Sequence, residues 1–142
     1  MTGRDERHSV SVAGVIVDDH GRVLLTQRAD NGDWQAPGGV LELAETISDG
    51  LRREVLEETG LIIEPIALTG VYKNMVRGIV ALVFRCKVVG GKLTTNDEVV
   101  AFHWATPAEV KQMVSEAFAV RIIDSLHGEA PAVREHDGVH LV

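Results

Sequence analysis

The chain has one cysteine, few aromatic residues (4%), and no apolar run near the roughly 18–20 residues that a membrane helix needs. With Cys86 alone, no intrachain disulfide can form, and a reducing cytoplasm is the expected setting. Arg85 and Lys87 flank this thiol, which leaves a reactive role open beside the expected one of packing on a strand. Met1 to His8 is polar and charged, so no secretory signal is expected there. The six histidines show no HExxH-type spacing, which argues against a zinc site. Positive charge is scarce: 14 Lys and Arg stand against 21 Asp and Glu, for a net charge of −7, with no basic stripe. Such a chain repels nucleic acid backbones. If its substrate is a polyphosphate, a divalent cation is the economical bridge between the two.

Hydrophobic content of 45% with 25% charged residues describes an ordinary globular chain, and 142 residues fit one domain. Residues 1–8 and 129–142 are polar enough to be loosely ordered tails, the second with a short edge strand as the alternative. Val10 to Val17 and Arg22 to Gln27 are β-branched runs around Asp18-Asp19-His20-Gly21, which predicts a β-hairpin. Trp34 to Gly39 is a short extended piece, broken at Pro37-Gly38-Gly39. Glu45 to Thr59 is the best helix, with Thr46 or Glu45 at its start and Gly60 where a left-handed cap belongs. Ile62 to Val71 and Gly78 to Val89 read as strands, followed by a Gly90-Gly91 turn, a polar loop through Asn96-Asp97, and a strand from Val99 to Trp104. Thr106-Pro107 opens a short helix, and Ala117 to Leu126 has helical apolar spacing. The order predicts an α/β fold, a mixed β-sheet flanked by helices.

The central helix disobeys its own pattern. Ile47, Leu51 and Val55 should form its buried stripe, yet at roughly 100° per residue Glu58 projects between Ile47 and Leu51. Glu54 lies beside Ile47, and Glu57 is one step further around. Like charges at these spacings repel by roughly a few tenths of a kcal/mol per pair, and burying them unpaired costs far more. A solvated helix with Arg52 and Arg53 pairing its acids is the plain alternative.

Gly39 to Leu61 reads GVLELAETISDGLRREVLEETGL and resembles the Nudix box at every fixed position: Gly39, Glu45, Arg53, Glu54, Val55, Glu57, Glu58, Gly60 and Leu61. The lead-in Trp34 to Gly38 is also similar to that of the family, and Ala44 stands where many members have glycine. The resemblance implies the family's α/β/α sandwich. It also implies Mg²⁺, with Mn²⁺ as a substitute, held by Glu54, Glu57, Glu58, the Gly39 carbonyl and an extra acid, Glu98. Asp97 competes for that last place.

By the same resemblance Glu54, Arg53 and Glu57 are catalytic, with Glu54 either a ligand or the general base and Arg53 a non-ligand that orients a neighbouring carboxylate. Glu45 has a structural and a functional reading on equal terms. Arg28 could contact phosphate, and Tyr72 and Lys73 are further candidates on the substrate side. Trp34 and Trp104 border strands, where core packing competes with stacking on a base.

The implied activity is cleavage of a phosphoanhydride bond in a nucleoside diphosphate linked to a second group: a nucleoside triphosphate, a nucleotide sugar or an ADP-ribose type. Tyr72 to Gly78 lacks the proline of many ADP-ribose enzymes, which weighs against that branch. The alternative is a non-catalytic nucleotide-binding regulatory domain, although such domains usually lose box glutamates. The expected partner is a small-molecule nucleotide, with no nucleic acid and no membrane, and homodimerisation is left open.

Overall fold

The computed structural model describes residues 6–128 and 130–142; the rest of the two expected tails, 1–5 and 129, lies outside them. The elements are β1 (Ser9–Ile16), β2 (Val23–Arg28), β3 (Trp34–Gln35), β4 (Gly38–Val40), α1 (Ile47–Thr59), β5 (Leu61–Asn74), β6 (Ile79–Gly91), β7 (Val99–Ala105), α2 (Pro107–Met113), α3 (Glu116–Leu126) and β8 (Ala132–His136). They build two sheets, a mixed one in the order β4-β1-β6-β5-β8 and a smaller one in the order β3-β2-β7. No helix among the described residues is long and apolar enough to cross a membrane.

Side chains alternate across a strand, so one strand can feed two cores. On β1, Val12 and Ile16 join Leu51 and Val55 of α1, while Ala13 and Val15 join Val110 of α2 and Ile122 of α3. β2 divides in the same way, Leu24 to the α1 side and Val23 and Leu25 to the other. Burial on both faces explains why these strands read as near-continuous apolar runs. The result is the α/β/α sandwich that the sequence implied, with α1 on one side and α2 and α3 on the other.

The expected hairpin is only a turn. Asp18 accepts hydrogen bonds from the His20 and Arg22 backbone N–H groups, and Gly21 takes a φ of 75°. Beyond a single Val17–Val23 bridge the strands part, β1 pairing with β4 and β6 while β2 pairs with β3 and β7. Doubly buried strands gain more from a neighbour on each edge than from each other. β6 likewise runs through Gly90 and Gly91 instead of turning before them, pairing with Leu61 and Ile62. Within the C-terminal tail, β8 lies parallel to β5 at the sheet edge.

Helix α1 begins after Thr46, whose hydroxyl accepts from the Asp49 N–H, and ends at Gly60 with φ 79°. Its buried side is Gly50, Leu51, Val55, Glu58 and Thr59. Ile47 is 43% exposed and does not join the stripe. Gly50 is buried in its place, because Leu41 and the Glu45 carboxyl pack where a side chain at position 50 would go. Glu58 is inside the buried face, as its wheel position predicts.

Candidate active site

Two glycines set the approach between β4 and α1. Gly38 and Gly39 pair with Ala13 and Val12 of β1. A side chain at Gly38 would strike the Val12 carbonyl oxygen and the Ala13 backbone. At Gly39 it would strike the Glu54 carboxyl, which lies directly over that α-carbon. These glycines bring the helix acids against bare backbone.

Glu58 is the most enclosed of these acids, 7% exposed, and accepts a 2.9 Å hydrogen bond from the Gly38 N–H. Burial pushes its carboxyl up to about 7; the Gly38 bond opposes this, the Glu54 and Glu98 charges add to it, and Arg28 works against it. The Glu54 carboxyl is also shifted up, first by burial, against the pull of Arg53 and with the push of Glu57 and Glu98. Glu54, Glu58 and Glu98 therefore form one electrostatic cluster of like charge.

Arg53 is the organising cation. Its Nε and Nη2 grip both Glu45 oxygens at 2.8 and 2.6 Å, and Nη1 reaches Glu54 at 3.0 Å and Glu57 at 3.3 Å. Nη2 also donates to the Val40 carbonyl. Glu45 is held down to about 2, first by the Arg53 hydrogen bonds and then by the Glu42 N–H. Of its two readings the geometry gives Glu45 the structural one: it fixes Arg53 and thereby the two acids that Arg53 touches.

Sequence reasoning missed Asn96. Its Nδ2 donates to the Glu58 carbonyl at 2.9 Å, while its Oδ1 accepts from the Glu98 and Val99 N–H groups. The Glu98 carbonyl in turn accepts from the Ala29 N–H at 2.8 Å. Glu98 is thus tied to both the end of α1 and the end of β2. An asparagine two residues before an acid is the Asx-turn signal that could have revealed this.

These groups border a cleft of about 410 Å³ lined by Arg28, Gln35, Gly38, Glu58, Asp97 and Glu98. Asp97 lines the cleft as well as Glu98, and it is Glu98 whose charge registers on Glu54 and Glu58. Arg28 projects here from a register shift in β2, held by Asp30 through contacts of 2.8 and 2.6 Å.

Tyr72 is not at the cleft. It is fully buried in the α3-side core, and its hydroxyl donates to Asp124 at 2.8 Å. A bulky residue facing inward on a central strand is core by position, which overturns its reading as a substrate contact. Lys73, one residue on, points to the opposite face and pairs in register with Val80 and Glu135. Trp34 and Trp104 are half-buried, packed against the two cores on opposite sides of the molecule. Cys86 is buried, and burial pushes its thiol up to about 12.

Among the described residues, no three His, Cys, Asp or Glu side chains converge as a metal cage in this arrangement. Glu54 and Glu57 lean on Arg53, and Glu58 leans on Gly38. Among the described residues, each of the three nevertheless has hydrogen bonds to only one carboxylate oxygen, and the other has no partner there. A cluster of like-charged oxygen donors suits a hard divalent cation.

The NUDIX domain model matches residues 7–126. A MutT-like protein of Streptomyces ambofaciens is 58% identical over 95% of this chain and 88% of its own length. An ADP-ribose pyrophosphatase of Methanocaldococcus jannaschii is 37% identical over 63% of this chain and 57% of its own. In structure, an ADP-ribose pyrophosphatase from Streptococcus suis superposes with a TM-score of 0.76, covering 90% of this chain and 98% of that one at 21% identity, a likeness of fold. With a matched domain spanning most of the chain and a relative this similar along nearly all of it, the chain belongs to the Nudix hydrolase family.

Proposed function

We propose that the chain is a Mg²⁺-dependent pyrophosphohydrolase that cleaves a phosphoanhydride bond in a nucleoside diphosphate linked to a second group. The observation that carries this is the juxtaposition of Glu54, Glu58 and Glu98 with the bared backbone of Gly38 and Gly39, beside a cleft lined by Arg28, Gly38, Glu58 and Glu98. Glu54, Glu57, Glu58, Glu98 and the Gly39 carbonyl would hold the cation. Mg²⁺, or Mn²⁺ in its place, would neutralise the polyphosphate and polarise its phosphoryl oxygens.

The chain's own residues do the rest. Arg53 fixes the rotamers of Glu54 and Glu57, so the acids meet the substrate already oriented. Arg28 supplies the cleft's cationic contact for a phosphate, with Asp30 setting its direction. Water adds to phosphorus and the anhydride P–O bond breaks, giving a nucleoside monophosphate and a second phosphate-bearing product. Glu54 or Glu98, whichever is not engaged in holding the cation, takes the proton from that water. An acidic chain with its one thiol buried fits a small nucleotide substrate in a reducing cytoplasm and does not fit a nucleic acid partner.

The relatives' names span MutT-like and ADP-ribose types, so the test is a panel. Nucleoside triphosphates, nucleotide sugars, ADP-ribose and dinucleoside polyphosphates are assayed with Mg²⁺ and with Mn²⁺. The expected result is metal-dependent release of a nucleoside monophosphate from at least one of them. No turnover on any overturns the proposal.

A further inference from the structure

The edge strand β8 ends on a histidine that solvent does not reach. His136 is fully buried, although the other side chains of that strand are exposed or half-buried. Residues 137–142 fold back over it as a hairpin. Leu141 bridges to His136, the Asp137 N–H bonds the His140 carbonyl, and the Val142 N–H bonds the Glu135 carbonyl. The hairpin docks on the first turn of α3. Its Val139 carbonyl accepts from the Ala117 N–H at 2.9 Å, and the Glu116 carboxylate accepts from the Leu141 N–H at 3.1 Å. Gly138 and Val139 thereby wall a recess of about 300 Å³ that takes in Trp34 and Phe118 and shares Arg28 and Gln35 with the carboxylate cleft.

The His136 imidazole is the inner fastening of this hairpin. Its Nδ1 accepts a 2.9 Å hydrogen bond from the Gly138 N–H, in the turn itself. Its Nε2 lies 3.2 Å from Nη2 of the half-buried Arg121, and its ring packs on Phe118 with centroids 5.8 Å apart. Both ring nitrogens therefore face N–H donors. A neutral imidazole has one acceptor nitrogen to offer, and Gly138 takes it; an imidazolium has none. Protonation at Nδ1 sets N–H against N–H at Gly138 and a second positive charge beside Arg121.

The acids packed nearby do not answer that charge. Asp124 on α3 is taken by Nε and Nη2 of Arg134 and by the Tyr72 hydroxyl. The Asp137 carboxylate accepts from the Val139 and His140 N–H groups within the turn. Glu116 faces His140, 3.0 Å from its Nδ1. Glu135 and Lys73 alternate to the opposite face of the β5–β8 pair. Burial, and then the Arg121 charge, hold the His136 pKa below its ordinary value against the pull of Asp137.

We propose that His136 is a proton-sensitive latch: neutral, it fastens residues 137–142 against α3 and keeps the recess walled; protonated, it releases Gly138 and lets the hairpin swing out. A ring that binds its proton less readily under the closed hairpin than in water transfers that difference to closure. The closed form is fully favoured above the ordinary histidine value of about 6.5 and loses ground as pH falls below it. His140 works the other way, since a charged ring there tightens its contact with Glu116, but exposed pairs of this kind are weak. The latch does not depend on which nucleotide the chain cleaves.

Amide hydrogen exchange reads the hairpin without an activity assay. After correction for the intrinsic effect of pH on exchange, protection of the Ala117 and Val142 N–H groups is expected to fall ~5-fold or more between pH 7.5 and 5.5, while that of the β1 amides holds. His136→Phe keeps a ring and removes the titration; its two protections should start lower and change less than ~2-fold over the same range. His140→Asn removes the outer titration and should leave the wild-type fall in place. Unchanged protection of Ala117 and Val142 in the wild type overturns the latch. So does a fall shared by the β1 amides, an equal fall in His136→Phe, or the loss of the response in His140→Asn. Should His136→Phe not fold, ring NMR of the wild type decides: a His136 that becomes charged while Ala117 keeps its protection overturns the latch too.

Discussion

The Glu54 carboxyl occupies the space that a side chain at Gly39 would fill. Gly39→Ala must therefore displace Glu54, the flexible end of a side chain, at modest cost to the fold. Gly38→Ala instead meets the backbone of Val12 and Ala13, which cannot yield without opening the β4–β1 pair. The two variants are expected to separate. Gly39→Ala should lose ~1 kcal/mol or less of stability but ~100-fold in turnover, because a small misplacement of an acid with the role proposed for Glu54 is costly. Gly38→Ala should lose about 1–3 kcal/mol or more. Denaturant unfolding beside turnover on the best substrate of the panel checks this. Equal effects of both variants on stability would show that Glu54 is not seated as described.

Glu58 is a buried carboxylate whose only hydrogen bond among the described residues comes from the Gly38 N–H. Glu58→Gln retains an acceptor for that bond and removes one charge from a crowded cluster. The metal-free variant should be at least as stable as the wild type, since replacing an uncompensated buried charge is neutral or favourable. Its turnover should fall by about 100-fold or more if that charge serves the reaction. Glu57→Gln, at an exposed acid on Arg53, should cost turnover as well and change stability little. Near-wild-type, Mg²⁺-dependent activity in either folded variant would remove that residue from the metal set.

Much of this site was legible because it is local. The spacing from Gly39 to Leu61 carries the helix acids, and Thr46 and Gly60 end the helix by side-chain and backbone chemistry that neighbouring residues reveal. What stayed illegible depends on contacts between distant segments. β1 and β2 look like a hairpin until the competing partners β6 and β7 are known. Ile47 has the right period to be buried, but Leu41 and Glu45 from the preceding loop pack beside Gly50 instead. Tyr72 looks like a polar aromatic near a strand end; the Asp124 that satisfies its hydroxyl is 52 positions away.

Cys86 gives a pH dependence with a definite sign. Burial raises its thiol to about 12, with Arg52 pulling weakly the other way. A raised thiol pKa keeps the folded state protonated after the unfolded state has ionised, so its contribution is whole below the unfolded value and is lost as pH rises. Relative to Cys86→Ala, the wild type should lose about 1.4 kcal/mol of stability per pH unit between roughly pH 9 and the folded value. The native thiol should also resist a disulfide reagent at pH 8 that labels the unfolded chain completely. Parallel stability profiles of the two proteins across pH 9 to 10.5, or rapid native labelling, would contradict the burial of Cys86.

Asn96 offers the sharpest separation between building the site and acting in it. It touches no proposed phosphate contact, yet its amide bonds the Glu58 carbonyl and the Glu98 and Val99 N–H groups. Asn96→Ala removes three hydrogen bonds at a half-buried position and should cost about 1–3 kcal/mol of stability. Because Glu98 stays anchored to Ala29 through its carbonyl, the loop should loosen without detaching. The kinetic signature should be a fall in kcat with little change in KM, since what is lost is the placement of Glu98 against Glu54 and Glu58 and not a grip on the substrate. Asn96→Asp keeps the acceptor for the two N–H groups and loses only the donor to Glu58. It should recover part of the stability, while its added negative charge beside the cluster keeps kcat low. If Asn96→Ala raised KM and left kcat unchanged, Glu98 would belong to substrate binding and its place among the metal-holding acids would fall.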